Sequence, residues 1–467
     1  MTSPPSAGTA PRTSFWLETC GEDLTPRPAL QRDRQVDVAI LGGGFSGLWT
    51  AYHLLVQQPD LDIAIVEQEV VGFGASGRNG GWASPRFPVD PHVMVRRFGT
   101  AVARETLMAI DRAVHTIGDI CAIEGIDAHY RQTGLLSIAR SAGQVAALQS
   151  TLDTFRLLGL DTGMALLSAQ ATHERVHATH IHAGLYAPSG AAVHPARLVR
   201  GLARAVERRG ATIYEKTQAT DIQRGEKACI VTTGGRLYAR KTVVAAGEAY
   251  LTTMPQFHRS LLPMSSMIVL SEPLTQAQWD EVGWARGESL SSVVHTKNYL
   301  TRTLDGRILY GSRGAPYAFG SQLAEQSLQD EQTFAAMRAA VREWWPVLNQ
   351  VGFSHAWGGY LGVPRDWMPS VGFDPASRFA RLGGYTGRGV STSILCGKLL
   401  AGLILGRSTG LEHLPFHRAG APDWEVEPFR WMGVRYVQNA FARIDRADQA
   451  GERLPLDTAL AEMLGEQ

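Results

Sequence analysis

The chain has 467 residues, 44% of them hydrophobic and 19% charged, with a formal net charge of +1 at neutral pH. That length exceeds one ordinary hydrophobic core and predicts two domains, sequential or interleaved, of soluble globular composition. A balanced charge without a basic block argues against nucleic acid or an anionic membrane as partner.

Cys20, Cys121, Cys229 and Cys396 are scattered and form no Cys-x-x-Cys pair. This argues against a disulfide frame or zinc site and for a reducing compartment, so a cytoplasmic location is expected. MTSPPSAGTAPRTS at the start lacks a signal-peptide core and is expected to be a disordered tail. The longest apolar run, SILCGKLLAGLIL, falls short of the roughly 20 residues of a membrane helix and carries Lys398.

In chain order, SFWLET (14–19) brings two aromatics into a polar leader, which predicts an anchor onto the body of the protein. VDVAIL (36–41) reads as a buried parallel strand and runs directly into GGGFSG (42–47) and a helix, LWTAYHLLVQQ. In that turn Gly42 suits a tight bend, Gly44 lets a pyrophosphate approach the backbone, and Gly47 lets helix and strand pack closely. The helix would point free N–H groups and its positive dipole end at the phosphates. LDIAIVE (61–67) gives a second strand ending in Glu67, 20 residues beyond Gly47, where a carboxylate binds ribose hydroxyls and repels a 2′-phosphate. A dinucleotide site is expected, with NADP disfavoured.

Residues 70–85 hold Gly72, Gly74, Gly77, Gly80 and Gly81, with Arg78 and Asn79 between them. A loop so rich in glycine, directly after a dinucleotide unit, predicts close backbone contact with a ligand. Residues 91–130 read as helical, YRQTGLLSIARS (130–141) as a strand, and QVAALQSTLDTFRLLGL as another helix. His173, His177, His180 and His182 cluster in sequence, but no acid or cysteine of fitting geometry joins them, so no metal is expected. A helix follows from Pro195, then strands GATIYEKT and GGRLYARKTVVAAGEAY. The small residues Ala245, Ala246 and Gly247 suit close packing by a cofactor or the first glycine turn.

Between 263 and 349 the pattern changes. MSSMIVL, VVHTKNYLTRTL and GRILYGSRG alternate polar and apolar residues, which predicts a mostly antiparallel sheet with one face open to a ligand; a helix, LQDEQTFAAMRAAVREWWPVL, closes the region. HAWGGYLGVPRDWMPSVGFDP (355–375) then leads to RFARLGGYTGRGV (378–390) and the helix STSILCGKLLAGLILG (391–406), a second strand, glycine turn and helix aimed at the cofactor.

Six pieces in order, VDVAILGGGFSG, FGASGRNGGW, the VHPARLVRGL helix, TVVAAGE, WGGYLGVPRDWMPSVG and GYTGRGV with its helix, span most of the chain. Together they resemble the flavin-dependent D-amino-acid oxidase superfamily, in its glycine, sarcosine and gamma-glutamylputrescine oxidase branch. The fold implied is α/β, a Rossmann-like FAD-binding domain interleaved with an α+β substrate domain built on a mostly antiparallel sheet. Segments 33–95, 190–262 and 350–415 would form the former and segments 96–189 and 263–349 the latter, with a leader over 1–32 and a helical extension over 416–467. The resemblance implies FAD contacts at Gly42, Gly44, Phe45, Ser46, Gly47, Glu67 and Gln68, and at Ser76, Gly77, Arg78, Asn79, Gly80 and Gly81 beside the flavin. Further contacts fall at Ala219, Ala246, Gly247, Gly359, Gly384, Tyr385, Gly387, Arg388, Gly389 and Val390.

The implied reaction removes a hydride from the carbon beside an amine, giving an imine that water hydrolyses. The substrate is a small amine or amino acid, with oxygen as acceptor and hydrogen peroxide as product. A dehydrogenase passing electrons to another acceptor and a non-catalytic FAD-binding protein are the alternatives. Some relatives hold the flavin through a cysteine or histidine; WGGYLGVP has neither, so dissociable FAD is expected. The lysine that promotes the oxygen reaction in sarcosine oxidase-like members has no counterpart in RILYGS (307–312). Arg388 would stabilise negative charge on reduced flavin, and Tyr299 and Arg302 are the other catalytic candidates. The substrate wall is expected from Tyr299, Arg302, Arg313, Tyr317, Trp357 and Tyr360, an arginine there clamping a carboxylate or phosphonate.

Overall fold

The computed structural model describes residues 14–313 and 315–465. The strand Arg34–Leu41, buried from Val38 onward, lies between Ile63–Val66 and Gly235–Ala245, parallel to both. Thr212–Tyr214 adds a parallel strand beyond Ile63–Val66, and Phe379–Gly383 adds one against the end of Gly235–Ala245. Ala219–Gln223, Cys229–Thr232 and Ser370–Asp374 complete this sheet through antiparallel pairings. Runs such as VAIL and IAIV fit the centre because helices or loops bury both faces of a parallel sheet.

Two helices carry the glycine turns against this sheet. Phe45–Gln57 follows the first strand and Gly389–Leu405 follows Phe379–Gly383. They touch where Gly397 meets Trp49: a Cβ on Gly397 would lie 2.8 Å from that of Trp49 and 2.9 Å from the Thr50 nitrogen. That approach lets both N-termini border one cavity.

The second sheet has eight strands in the order Phe353–Val363, Leu262–Ser271, Ile308–Ser312, Asn298–Arg302, Ser289–Ser292, Leu135–Ala139, Ala183–Ala187 and Ala165–Ser168. All its pairings are antiparallel except Ser289–Ser292 with Leu135–Ala139. The α/β architecture with a mostly antiparallel second sheet is therefore observed. Phe353–Val363, in a segment expected with the first sheet, pairs along its length with Leu262–Ser271. Trp284, Trp344 and Trp345 lie in the core that Glu331–Trp344 shares with this sheet.

Local differences have local causes. The expected helix over 91–130 spans Pro91–Glu124, is broken at Gly99 (φ +79°) and stops at Gly125, a left-handed C-cap. VVHTKNYLTRTL is strand only from Asn298, because the backbone N–H groups of His295 and Thr296 donate to the Asp445 carboxylate, each at 2.8 Å. Asp445 belongs to the helix Phe429–Ala450. The leader is anchored as expected: Phe15, Trp16 and Leu17 are buried, and the Trp16 indole donates to the Asn79 carbonyl at 2.8 Å. The tail expectation lies outside the described residues except for Ser14, which N-caps the helix Phe15–Glu18. Among the described residues no helix is long and apolar enough to cross a membrane.

Candidate cofactor and substrate site

A cavity of about 580 Å³ runs from the carboxyl ends of the parallel strands to the inner face of the second sheet. Its first end is a glycine cradle. Gly42 has φ +111°, and a Cβ there would come within 2.7 Å of the Ala246 carbonyl oxygen. A Cβ on Gly47 would lie 2.2 Å from the Gly42 oxygen, and one on Gly44 would lie 2.9 Å from Ser76 Oγ. Side chains are excluded there, and the open face of the turn is left to backbone N–H groups at a helix N-terminus, an arrangement that accepts a pyrophosphate.

Glu67 closes this end. Its Oε2 accepts from the Gly43 N–H at 2.8 Å and its Oε1 from the Glu69 N–H at 3.0 Å, while burial pushes the carboxyl above its ordinary range. The carboxylate is fixed in place at the cavity wall, and its remaining lone pairs suit ribose hydroxyls. The donor set and the cradle both fit FAD.

Of the expected cofactor residues, Gly42, Gly44, Phe45, Ser46, Glu67, Gln68, Ser76, Arg78, Asn79, Gly80, Ala219, Ala246, Gly247 and Gly359 border the cavity. So do Tyr385, Gly387, Arg388, Gly389 and Val390. Gly47, Gly77, Gly81 and Gly384 stand behind the lining and permit its turns; at Gly384 (φ +82°) a Cβ would lie 2.5 Å from Pro364 Cγ.

At the far end Tyr299 is held between two backbones. A Cβ on Gly80 would lie 2.3 Å from its ring and one on Gly311 2.0 Å from it, and its hydroxyl shares a 3.0 Å hydrogen bond with Ser266. Arg313 and Tyr360 also border the cavity, Arg313 Nη2 donating to the Thr386 carbonyl at 2.6 Å.

Three expected substrate residues are corrected. Arg302 faces away: it stacks 4.0 Å over the Trp279 ring and donates to the Trp284 carbonyl at 2.9 Å. Successive strand residues point to opposite faces, so Tyr299 and Thr301 share the cavity side and Arg302 takes the other. Tyr317 is bound to Ser321 at 2.8 Å and buried with Leu262 and Trp424. Trp357 is buried with Phe15 and Ile268, its indole donating to the Arg78 carbonyl at 3.0 Å.

Sequence reasoning missed Lys297, Arg86 and Asp90, which border the same end. Lys297 lies just before the strand Asn298–Arg302, and Arg86 and Asp90 sit in irregular chain, so no period reveals any of the three. Burial lowers Lys297, and the nearby charges of Arg388, Arg313 and Arg86 lower it further, against Asp90. Burial, then the charges of Arg86 and Arg313, push Arg388 down to about 9, still a cation at neutral pH. The arrangement offers a dinucleotide cradle facing a cationic pocket, with one aromatic clamp between.

The family model described as FAD dependent oxidoreductase (DAO) matches residues 37–403. Gamma-glutamylputrescine oxidoreductase of Escherichia coli (strain K12) is 27% identical over 91% of this chain and 97% of its own length. Glycine oxidase of Geobacillus kaustophilus (strain HTA426) is 25% identical over 81% of this chain and 96% of its own. A crystal structure of glycine oxidase from Geobacillus kaustophilus superposes with a TM-score of 0.69 at 21% identity, covering 82% of this chain and 98% of that one.

Proposed function

Because this chain belongs to the DAO family of FAD-dependent oxidoreductases, we propose that it oxidises the C–N bond of a small amine or amino acid. The amine loses two electrons and two protons to become an imine, water hydrolyses the imine to a carbonyl compound and an amine, and oxygen is reduced to hydrogen peroxide. Bound FAD supplies the two-electron chemistry.

The residues of the chain bind, orient and compensate charge. Gly42, Gly44 and the N-terminus of Phe45–Gln57 would hold the pyrophosphate, and Glu67 the ribose. Arg388, N-cap of the helix Gly389–Leu405, would answer negative charge on the flavin. Arg313 orients an acidic group of the substrate, and Tyr299 closes the pocket beside it. Lys297 lines the same end of the cavity, and its ammonium form would stabilise the anion formed when oxygen takes its first electron.

No cysteine borders the cavity among the described residues. His355, on the strand carrying WGGYLGVP, pairs with Glu18 at 3.1 Å. His92 does line the cavity, so the reading of FAD as dissociable rests on WGGYLGVP alone. The four cysteines are free and buried, which agrees with a cytoplasmic setting.

The observation that carries the reading is one cavity with a glycine cradle at one end and a cationic, tyrosine-clamped pocket at the other. The names of the relatives, a gamma-glutamylputrescine oxidoreductase and a glycine oxidase, support an amine as substrate. A peroxide assay of FAD-loaded protein against a panel of amines tests it. Amine-dependent peroxide is expected; reduction of an artificial dye without peroxide would replace oxygen by another acceptor.

A further inference from the structure

The far end of the cavity holds more positive charge than a single carboxylate would neutralise. Arg86, Lys297, Arg313 and Arg388 all border it, against one carboxylate, Asp90. Asp90 acts on Arg86, Lys297 and Arg388, whereas the group acting on Arg313 is Tyr299. The hydrogen bonds of the two outer arginines go to neutral acceptors, Arg86 Nη2 to Ser137 Oγ at 2.5 Å and Arg313 Nη2 to the Thr386 carbonyl. Their charges are held in position without being cancelled.

Arg388 caps a helix between Gly387 and Gly389 and would answer negative charge on a reduced cofactor. The other three basic groups, half-buried in the cavity wall, outnumber Asp90 and leave a surplus of up to two positive charges there. Charge drawn partly out of water without a counter-charge is costly, so a surplus gathered on one cavity wall marks the place of an anionic ligand. Guanidinium groups bind the oxygens of carboxylate and phosphonate in pairs, and an ammonium adds a point charge.

We infer that the substrate carries a dianionic portion, two carboxylates or one phosphonate, seated among Arg86, Lys297 and Arg313, with its amine toward Tyr299 and the cofactor end. This rests on the amine-oxidising reading, of which it names the substrate class. Amines of no acidic group, or of one, would leave the surplus uncompensated and bind weakly.

The test uses the FAD-loaded protein and two readouts. Malonate, methylphosphonate and acetate are titrated against the flavin absorption band at a pH where the first two are dianions. Separately, N-methylglycine, N-methylaspartate, N-methylaminomethylphosphonate and putrescine are compared as substrates. At least one dianion is expected to bind about tenfold or more tightly than acetate, and the matching amine to have the highest kcat/KM. Preference for malonate assigns two carboxylates, and preference for methylphosphonate assigns the phosphonate.

Arg86→Gln and Arg313→Gln should each erase the preference while retaining bound FAD; Lys297→Met gives a third reading should either variant fold poorly. Dianions that bind no better than acetate, while amines still bleach the flavin, would overturn the inference and leave amine oxidation standing. Tight dianion binding with no amine oxidised would do the reverse.

Discussion

Glu248 and Tyr385 are joined by a 3.0 Å hydrogen bond in which the buried carboxylate Oε1 accepts from the Tyr385 backbone N–H. The same oxygen accepts from Gly384 at 3.2 Å, while Oε2 has no partner among the described residues. Glu248 follows the strand Gly235–Ala245 and holds a left-handed backbone, φ +51°. It thereby ties the small-residue turn at 245–247 to the turn before the second cofactor helix.

Burial pushes Glu248 up from its ordinary 4.5 to about 7, against the Tyr385 and Gly384 N–H groups and the charge of Arg381. The folded protein therefore keeps a proton that the unfolded chain gives up between pH 4.5 and 7. Stability contributed by this group falls as pH rises through that window and is level above it. Glu248→Gln keeps an acceptor and lacks the titration. The stability of the native protein relative to the variant should fall by on the order of 3 kcal/mol between pH 4.5 and 8, measured by denaturant unfolding of both.

Gly44→Val would put branched carbons where a Cβ alone already meets Ser76 Oγ at 2.9 Å. The Phe45 N–H, which donates to that hydroxyl at 2.9 Å, would be displaced with it. Loss of most bound FAD is expected, read from the flavin-to-protein absorbance ratio. A variant of full flavin content would place the pyrophosphate elsewhere.

Arg302→Ala should separate packing from catalysis. Loss of the Trp279 stack and of the bond to the Trp284 carbonyl is expected to cost about 1–2 kcal/mol. Turnover with the best amine should stay within about twofold, since nothing in the cavity changes. A fall of 100-fold in kcat/KM would return Arg302 to the site.

Much of this was legible in the chain. The turn 42–47, its strands and Glu67 follow from local geometry: a tight bend, close packing and an acid at a fixed distance each select a residue type. Alternation within the strand Asn298–Arg302 also held the answer for Arg302, once Tyr299 is placed on the cavity side. What could not be read was long-range. Asp445, far along the chain, takes the N–H groups of His295 and Thr296 and so turns a stretch with strand character into the loop that presents Lys297. Arg86 and Asp90 reach the site from irregular chain, and Glu248 meets Tyr385 only through sheet assembly.

Lys297→Met leaves a side chain of similar length without charge. Protein reduced chemically and mixed with oxygen should recover its oxidised spectrum on the order of 100-fold more slowly than the native form, whatever the amine. Unchanged reoxidation would remove Lys297 from the oxygen reaction.

Anaerobic absorbance of the purified protein, titrated with amines and then opened to air, tests the central reading most directly. Bleaching of the flavin band by one amine, followed by its return with peroxide in air, is the expected result. A protein that binds FAD normally but whose band no amine bleaches would contradict amine oxidation. A protein that cannot be loaded with FAD would contradict the cradle built from Gly42, Gly44 and Gly47.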